Sequence, residues 1–197
     1  NNFNLYQIKI PQGFDLIEIG GGYGDLGLDL INAGYNLVLF LEPDKIKYEA
    51  ALEKIKNVYM LNKTMSDVDL KNIKKKSSKV FVVMQDVIEH IPKNEQKNFF
   101  EELLKIYDEI KLIGRTPNLK STYGLRNSFG DNTHIHRFTD GSLKSFLNDL
   151  GFYKITIHSE PYQITGLVSF LRYFPYLFVI GLFSISFFFV FGQWEGL

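Results

Sequence analysis

Apolar residues fall along this chain in two alternating patterns. Short, nearly continuous apolar runs, stopped by glycine, proline or polar residues, read as buried strands. They are FDLIEI (14–19), NLVLFLE (36–42), NVYML (57–61), KVFVVMQ (79–85) and the run inside EIKLIGRTPN (109–118) that Pro117 ends. YKITIHSE (153–160) alternates apolar and polar positions and makes a sixth strand. Between these runs the apolar spacing turns helical. DLGLDLINAG (25–34) places Leu26, Leu30 and Ala33 together, with Gly34 as a stop. DKIKYEAALEKI (44–55) follows Pro43 and ends in lysine. NEQKNFFEELLKIY (94–107) gathers Phe100, Leu103, Leu104 and Tyr107 on one face. TDGSLKSFLNDLGF (139–152) opens at Thr139, spaces Leu143, Phe146, Leu147 and Leu150 for a core, and stops at Gly151. Strand–helix alternation predicts an α/β protein with a doubly wound parallel sheet, whose ligands bind beyond the carboxyl ends of the strands.

Composition adds limits to this picture. The 197 residues suffice for one sizeable core, and no repeat or interdomain linker is visible. Twenty-two basic residues balance 22 acidic ones, so no general basic field favours nucleic acid. The lysines of SDVDLKNIKKKSSK (66–79) read as a solvated face. The absence of cysteine excludes disulfides and thiolate metal sites and fits a reducing compartment. No charged-then-apolar leader is read at the start. The pattern changes near residue 160, which suggests a domain over 1–160 and an apolar, helical tail over 161–197. Within that tail, YFPYLFVIGLFSISFFFVFG (173–192) carries no charge. Three readings stay open for it: a bilayer span, an interfacial helix or hairpin, or a segment buried against the domain or a second subunit.

The glycines of DLIEIGGGYGDLGLDL (15–30) raise the first chemical question. Glycine is costly in ordered structure, so the cluster means either a close backbone approach to a ligand or a tight strand-to-helix turn. Glu18-Ile19-Gly20-Gly21-Gly22-Tyr23-Gly24 has the form acidic-x-Gly-x-Gly-x-Gly, and it resembles motif I of the class I S-adenosylmethionine-dependent methyltransferases. That resemblance implies S-adenosyl-L-methionine as cofactor. Gly20, Gly22 and Gly24 would let the backbone lie against its methionine and ribose portion, and Glu18 would suit its ammonium and sulfonium. The same letters also contain Gly22-x-Gly24-x-x-Gly27, the dinucleotide fingerprint. It is displaced from the strand end, and it would set an acid before a doubly negative pyrophosphate. Glu42, closing the second strand, can accept from both ribose hydroxyls of either cofactor; its other reading is a charge at a helix start. After the third strand, Asp67, with Asp69 behind it, is assigned to the adenine amine, against a helix-capping role for Ser66 or Asp67.

VVMQDVIEHIP (82–92) resembles the segment after strand four of many small-molecule methyltransferases. The resemblance puts Gln85 and Asp86 at the cofactor's methionine end, Val87 and Ile88 as apolar walls, and Glu89 and His90 near the acceptor. IKLIGRTPNLKSTYGLRNSFGDNTHIHRFTDGSLKSFLNDLGF (110–152) is similar to methyltransferases of bacterial surface-polysaccharide clusters. Here Arg115, Asn118, Asp131, His134, His136 and Arg137 could meet a sugar. His134 is the first candidate base, since histidine titrates near neutral pH, and His90 the second. Loop-tethering hydrogen bonds are the bland alternative for His134, and a helix-end histidine bonding backbone is the one for His90. A His134-x-His136 pair with Asp131 could also hold a metal; no metal is assigned.

The resemblance therefore implies O-methylation of a sugar or glycan-type small acceptor. Alternatives are a quinone- or lipid-type methyltransferase, a cofactor-binding module without turnover, and an NAD-dependent oxidoreductase. The expected setting is cytoplasmic at the inner membrane face, with peripheral membrane contact through 166–194 and a homodimer as further options. The class I fold usually ends in a seventh strand, antiparallel to its neighbours. None is legible here, so the sheet is expected to lack it.

Overall fold

In a computed structural model, residues 4–5, 8–159 and 187–195 are described. A two-stranded antiparallel hairpin, β1 (Asn4–Leu5) and β2 (Ile8–Lys9), precedes a seven-stranded sheet. The sheet strands in chain order are β3 (Asp15–Ile19), β4 (Asn36–Leu41), β5 (Tyr59–Leu61), β6 (Lys79–Gln85), β7 (Glu109–Pro117), β8 (Tyr153–Ser159) and β9 (Phe187–Glu195). Their order across the sheet is β5-β4-β3-β6-β7-β9-β8. The first five strands pair in parallel, while β9 runs antiparallel to both β7 and β8. The order reverses beside β3, where the chain turns outward to β4 on one side and β6 starts the other half. A crevice opens at such a reversal, beyond the carboxyl ends of the strands.

Among the described residues, five α-helices accompany the sheet: α1 (Asp25–Asn32), α2 (Lys45–Lys54), α3 (Lys93–Leu104), α4 (Thr122–Gly130) and α5 (Asp140–Asp149). Each face of the sheet carries its own core. Ile17, Ile19, Val80, Val82 and Met84 meet Phe99, Phe100 and Leu103 of α3 and Leu143, Phe146 and Leu147 of α5. Leu16, Phe40, Phe81 and Val83 meet Leu30 of α1 and Ala51 of α2. Strands buried on both faces lack alternation, which is why their sequences run apolar without interruption. Burying one such side chain stabilises by about 1.5–3 kcal/mol.

Two expectations are corrected here. The seventh strand is present. Residues 187–195, assigned above to an apolar helical tail, form β9, which lies inside the sheet between β7 and β8. A strand flanked on both sides shows the same unbroken apolar run as a buried helix, and periodicity cannot separate them. The rest of the tail, 160–186, and with it most of the proposed membrane-contacting stretch 166–194, lies outside the described residues. Among the described residues no helix is long and apolar enough to cross a membrane. In addition, residues 122–130, to which the apolar spacing assigns no element, form α4, whose start is capped by Ser121 accepting from the Gly124 amide at 2.8 Å.

Candidate active site

The turn after β3 is built by packing as much as by ligand access. A Cβ on Gly20 would strike Val87, and one on Gly21 would enter the Phe40 ring. A Cβ on Gly24 would press on Ala51 and Ile55 at 3.0 Å, and one on Gly27 would meet Glu18 Oε2 at 2.6 Å. Gly22 differs. It has φ of 57°, in the left-handed region that suits glycine, yet nothing lies within 4 Å of the position its Cβ would take. Gly22 is therefore the glycine of the turn that opens onto free space.

Its amide donates to Glu42 Oε2 at 2.7 Å, and the Asp44 amide donates to Glu42 Oε1 at 2.8 Å. Asp44 then caps α2, accepting from the amides of Ile46 and Lys47. Asn62, past β5, donates to the backbone carbonyls of Glu42 and Pro43 at 2.8 and 2.9 Å. Glu42 is thus buried and held by three segments of the chain.

These residues line a cavity of about 680 Å³ at the sheet's reversal point. Of the predicted site residues, Gly20, Gly22, Glu42, Gln85, Asp86 and His90 lie on its wall. Glu18 and Gly24 do not. Glu18 is buried beneath the glycine turn, where burial, then the Glu42 and Asp25 charges, push its carboxyl up to about 8. Its Oε2 has no hydrogen-bond partner. Asp67 also lies off the cavity. It is exposed, and its carboxylate accepts from Thr64 Oγ1 at 3.0 Å. Thr64 and Met65 occupy the wall instead, with Lys47 and Lys63. Sequence reading missed these four; Asp44, a further wall residue in a Pro-Asp helix start, carried a local signal.

Asp86 has φ of 51° and is gripped by Arg115, whose Nε donates to both carboxylate oxygens at 3.1 Å while Nη2 pairs with Oδ2. The next residues are positioned by Gln96 of α3, whose Nε2 donates to the Ile88 and Ile91 carbonyls at 2.9 and 2.8 Å. The loop after α4 folds over this segment, and the amides of Ile135 and His136 donate to the Glu89 carbonyl at 3.0 and 2.9 Å. That brings His134 onto His90, with ring centroids 4.5 Å apart. Asp131 and Thr133 join His90 on the cavity wall, while His134 sits behind, 8% exposed. Burial, then the neighbouring His134, lowers the His90 pKa.

The other polar candidates serve structure. His136 packs against Phe138 and Phe146, away from His134. Asn118 Oδ1 accepts from the Lys120 amide, and Arg137 Nε donates to the Ser128 carbonyl.

The chain matches no protein-family model and no curated protein sequence. Solved structures do match. A SAM-dependent methyltransferase from Archaeoglobus fulgidus superposes with a TM-score of 0.64 at 15% identity, covering 92% of this chain and 86% of that one. A putative S-adenosylmethionine-dependent methyltransferase from Listeria monocytogenes gives 0.64 at 12% identity, over 95% and 94% of the two chains. The fold is that of the class I methyltransferases. Magnesium protoporphyrin IX methyltransferase from Synechocystis PCC 6803, determined with bound SAM, shares it with a TM-score of 0.51 at 15% identity, over 91% of this chain and 70% of that one. In a class I methyltransferase fold, the antiparallel β9 is the seventh strand that the sequence concealed.

Proposed function

We propose that this chain is an S-adenosylmethionine-dependent methyltransferase that O-methylates a hydroxyl-bearing small acceptor of sugar or glycan type. The observation that carries the reading is the open turn at Gly22, tied to the buried Glu42 carboxylate on the wall of one cavity. The residues fit the cofactor. The cavity volume lies within the usual range for small-molecule sites, roughly 300–1,000 Å³. A side chain at Gly22 would fill the space the cofactor needs, and Glu42 keeps lone pairs for ribose hydroxyls. Gln85 and Asp86 would meet the methionine end, with Val87 as an apolar wall. Thr64 and Met65, on the cavity wall after β5, would take the adenine ring.

When bound, S-adenosylmethionine would supply a methyl group on a sulfonium: the acceptor oxygen would gain the carbon, sulfur would keep the electron pair of the broken bond, and the hydroxyl proton would pass to His90 or to water. The chain's task is mainly to hold two reactants in line and exclude water, worth about 7–11 kcal/mol of barrier. A positioned base adds roughly 10²–10⁴-fold. His90, Asp131 and Thr133 form the polar wall that would orient the acceptor, and His134 backs His90.

Calorimetry with S-adenosylhomocysteine tests the cofactor. Saturable binding is expected; no heat at high micromolar ligand overturns the reading. Methyl transfer to polyols and sugars, compared with quinones and lipids, tests the acceptor class. A cytoplasmic position at the inner membrane face, with the part of 166–194 that precedes β9 as the contacting stretch, belongs to the same reading. Flotation with liposomes checks it, and protein that stays at the bottom removes the membrane contact.

A further inference from the structure

Glu89 is 1% exposed, and neither of its carboxylate oxygens has a hydrogen-bond partner. A carboxylate in that position costs several kcal/mol unless a partner compensates it. Thr116, Asp86 and Arg115 lie near it, and two imidazoles stand close. One ring nitrogen of His90, one of His134 and a Glu89 oxygen all lie within 4.8 Å of one another. His134 Nε2 stands 3.9 Å from Glu89 Oε1 and 3.8 Å from Asp131 Oδ2.

The surroundings also set the histidine chemistry. His134 Nδ1 is 3.2 Å from the Ser128 carbonyl, an acceptor only, so Nδ1 carries the proton and donates. Its Nε2 lone pair is then left facing the two carboxylates. Outer partners of this kind fix ring orientation at metal centres. Thr133 adds a second tether: its hydroxyl donates to Asp131 Oδ1 at 2.6 Å and lies 2.9 Å from His90 Nδ1.

We infer that Glu89, His90 and His134, with Asp131 as a fourth ligand, form a binding site for a divalent first-row transition metal ion at the acceptor wall of the cavity. Two imidazoles and carboxylate oxygen suit manganese(II), cobalt(II) or zinc(II) better than calcium. Ligands about 2.0–2.2 Å from an ion stand about 3.0–3.4 Å from each other, so the side chains draw in slightly on binding. This is a different set from the His-x-His pair of the sequence, because His136 turns to Phe138 and Phe146. Glu89 and His134 close the site from behind, while His90 and Asp131 line the cavity and leave the remaining coordination positions open to it.

The role of the ion, though not its binding, rests on the methyl-transfer reading. A metal-bound acceptor hydroxyl loses its proton near neutral pH, as metal-bound water does, and the proton goes to bulk water rather than to His90. The oxygen is then held by the ion facing the cavity. Vicinal hydroxyls, as on a sugar, would occupy two open positions at once.

The test uses the full chain freed of metal by a chelator, titrated with cobalt(II) and read by calorimetry and visible absorption. One equivalent should bind and produce ligand-field bands. Glu89→Gln and His134→Ala should each weaken binding by at least about tenfold. His90→Ala, at a half-buried wall position, carries the same expectation should either buried variant fail to fold. No cobalt binding, or binding that none of these variants weakens, overturns the site. S-adenosylhomocysteine binding to the wild type separates the two readings. Cofactor binding without cobalt binding removes the metal site alone. Cobalt binding without cofactor binding upholds the site and tells against methyl transfer.

Discussion

Glu42 and Glu89 follow the two strands that flank β3, one on each side of the glycine turn, and both are buried. Glu42 accepts two backbone amides, one on each oxygen. Glu89 accepts none. The first carboxylate is fixed before any ligand arrives, and its position is set by elements close to it in sequence. The second has been carried into the interior by a segment that a distant loop covers, and burial there pushes its carboxyl up to about 7. On the proposed reading, a site with both kinds of group separates its tasks: one side is preorganised for a nucleoside, and the other is completed by what it binds.

Removing the satisfied carboxylate should have the largest effect. Glu42→Ala leaves the Gly22 and Asp44 amides without their charged acceptor, and hydrogen bonds to charged groups are worth about 1.5–3 kcal/mol each. S-adenosylhomocysteine affinity should fall roughly 100-fold, about 2.7 kcal/mol, in calorimetry. An unchanged affinity would erase the contrast between the two sides.

A third buried carboxylate, Glu18, gives the next largest effect, in stability. Burial holds its folded pKa at about 8, above the ordinary carboxyl value of 4.5. The folded chain therefore keeps a proton that the unfolded chain releases. Stability is full below the ordinary value and declines as pH rises through about 8. Glu18→Gln should flatten that decline and stabilise the ligand-free protein by roughly 1–3 kcal/mol at alkaline pH. Denaturant melts between pH 5 and 9 measure it, and parallel slopes for both proteins would count against a neutral Glu18.

Gly22→Ala sharpens the donor side alone. With φ at 57° the alanine costs about 1–2 kcal/mol of backbone strain, but no neighbour is struck. Cofactor affinity should drop about tenfold with only a modest shift in melting. The smallest effect belongs to Asp67→Ala. Because its carboxylate is exposed and turned to Thr64, binding should change less than about twofold. A larger loss would restore Asp67 to the adenine role that the sequence suggested.

Much of the frame was legible because β3, β4, β6 and β7 are short apolar runs with glycine, proline or polar stops. The glycine turn and Glu42 were legible because their partners are near neighbours at strand ends. What stayed hidden depends on distant contacts. β9 lacks the alternation that marks a half-buried strand, and α4 carries two glycines that argue against a helix. Glu89 reads as an ordinary polar residue after a strand until His134, from the loop after α4, closes over it. His136 shows the opposite error: its spacing from His134 resembled a ligand pair, but an aromatic cluster claims its ring.

The placement of β9 also constrains how the protein is made. Glu109 pairs with Glu195, and Tyr153 pairs with Gln193, so β9 is a wedge between two strands that are synthesised before it. While the ribosome is still short of residue 187, the β7 edge has no mate and β8 has no sheet to join. The nascent chain must therefore wait with sticky hydrogen-bonding groups uncovered. Slow translation, or loss of the codons for Phe187–Glu195, would then be felt as aggregation, even with every residue of the glycine turn intact.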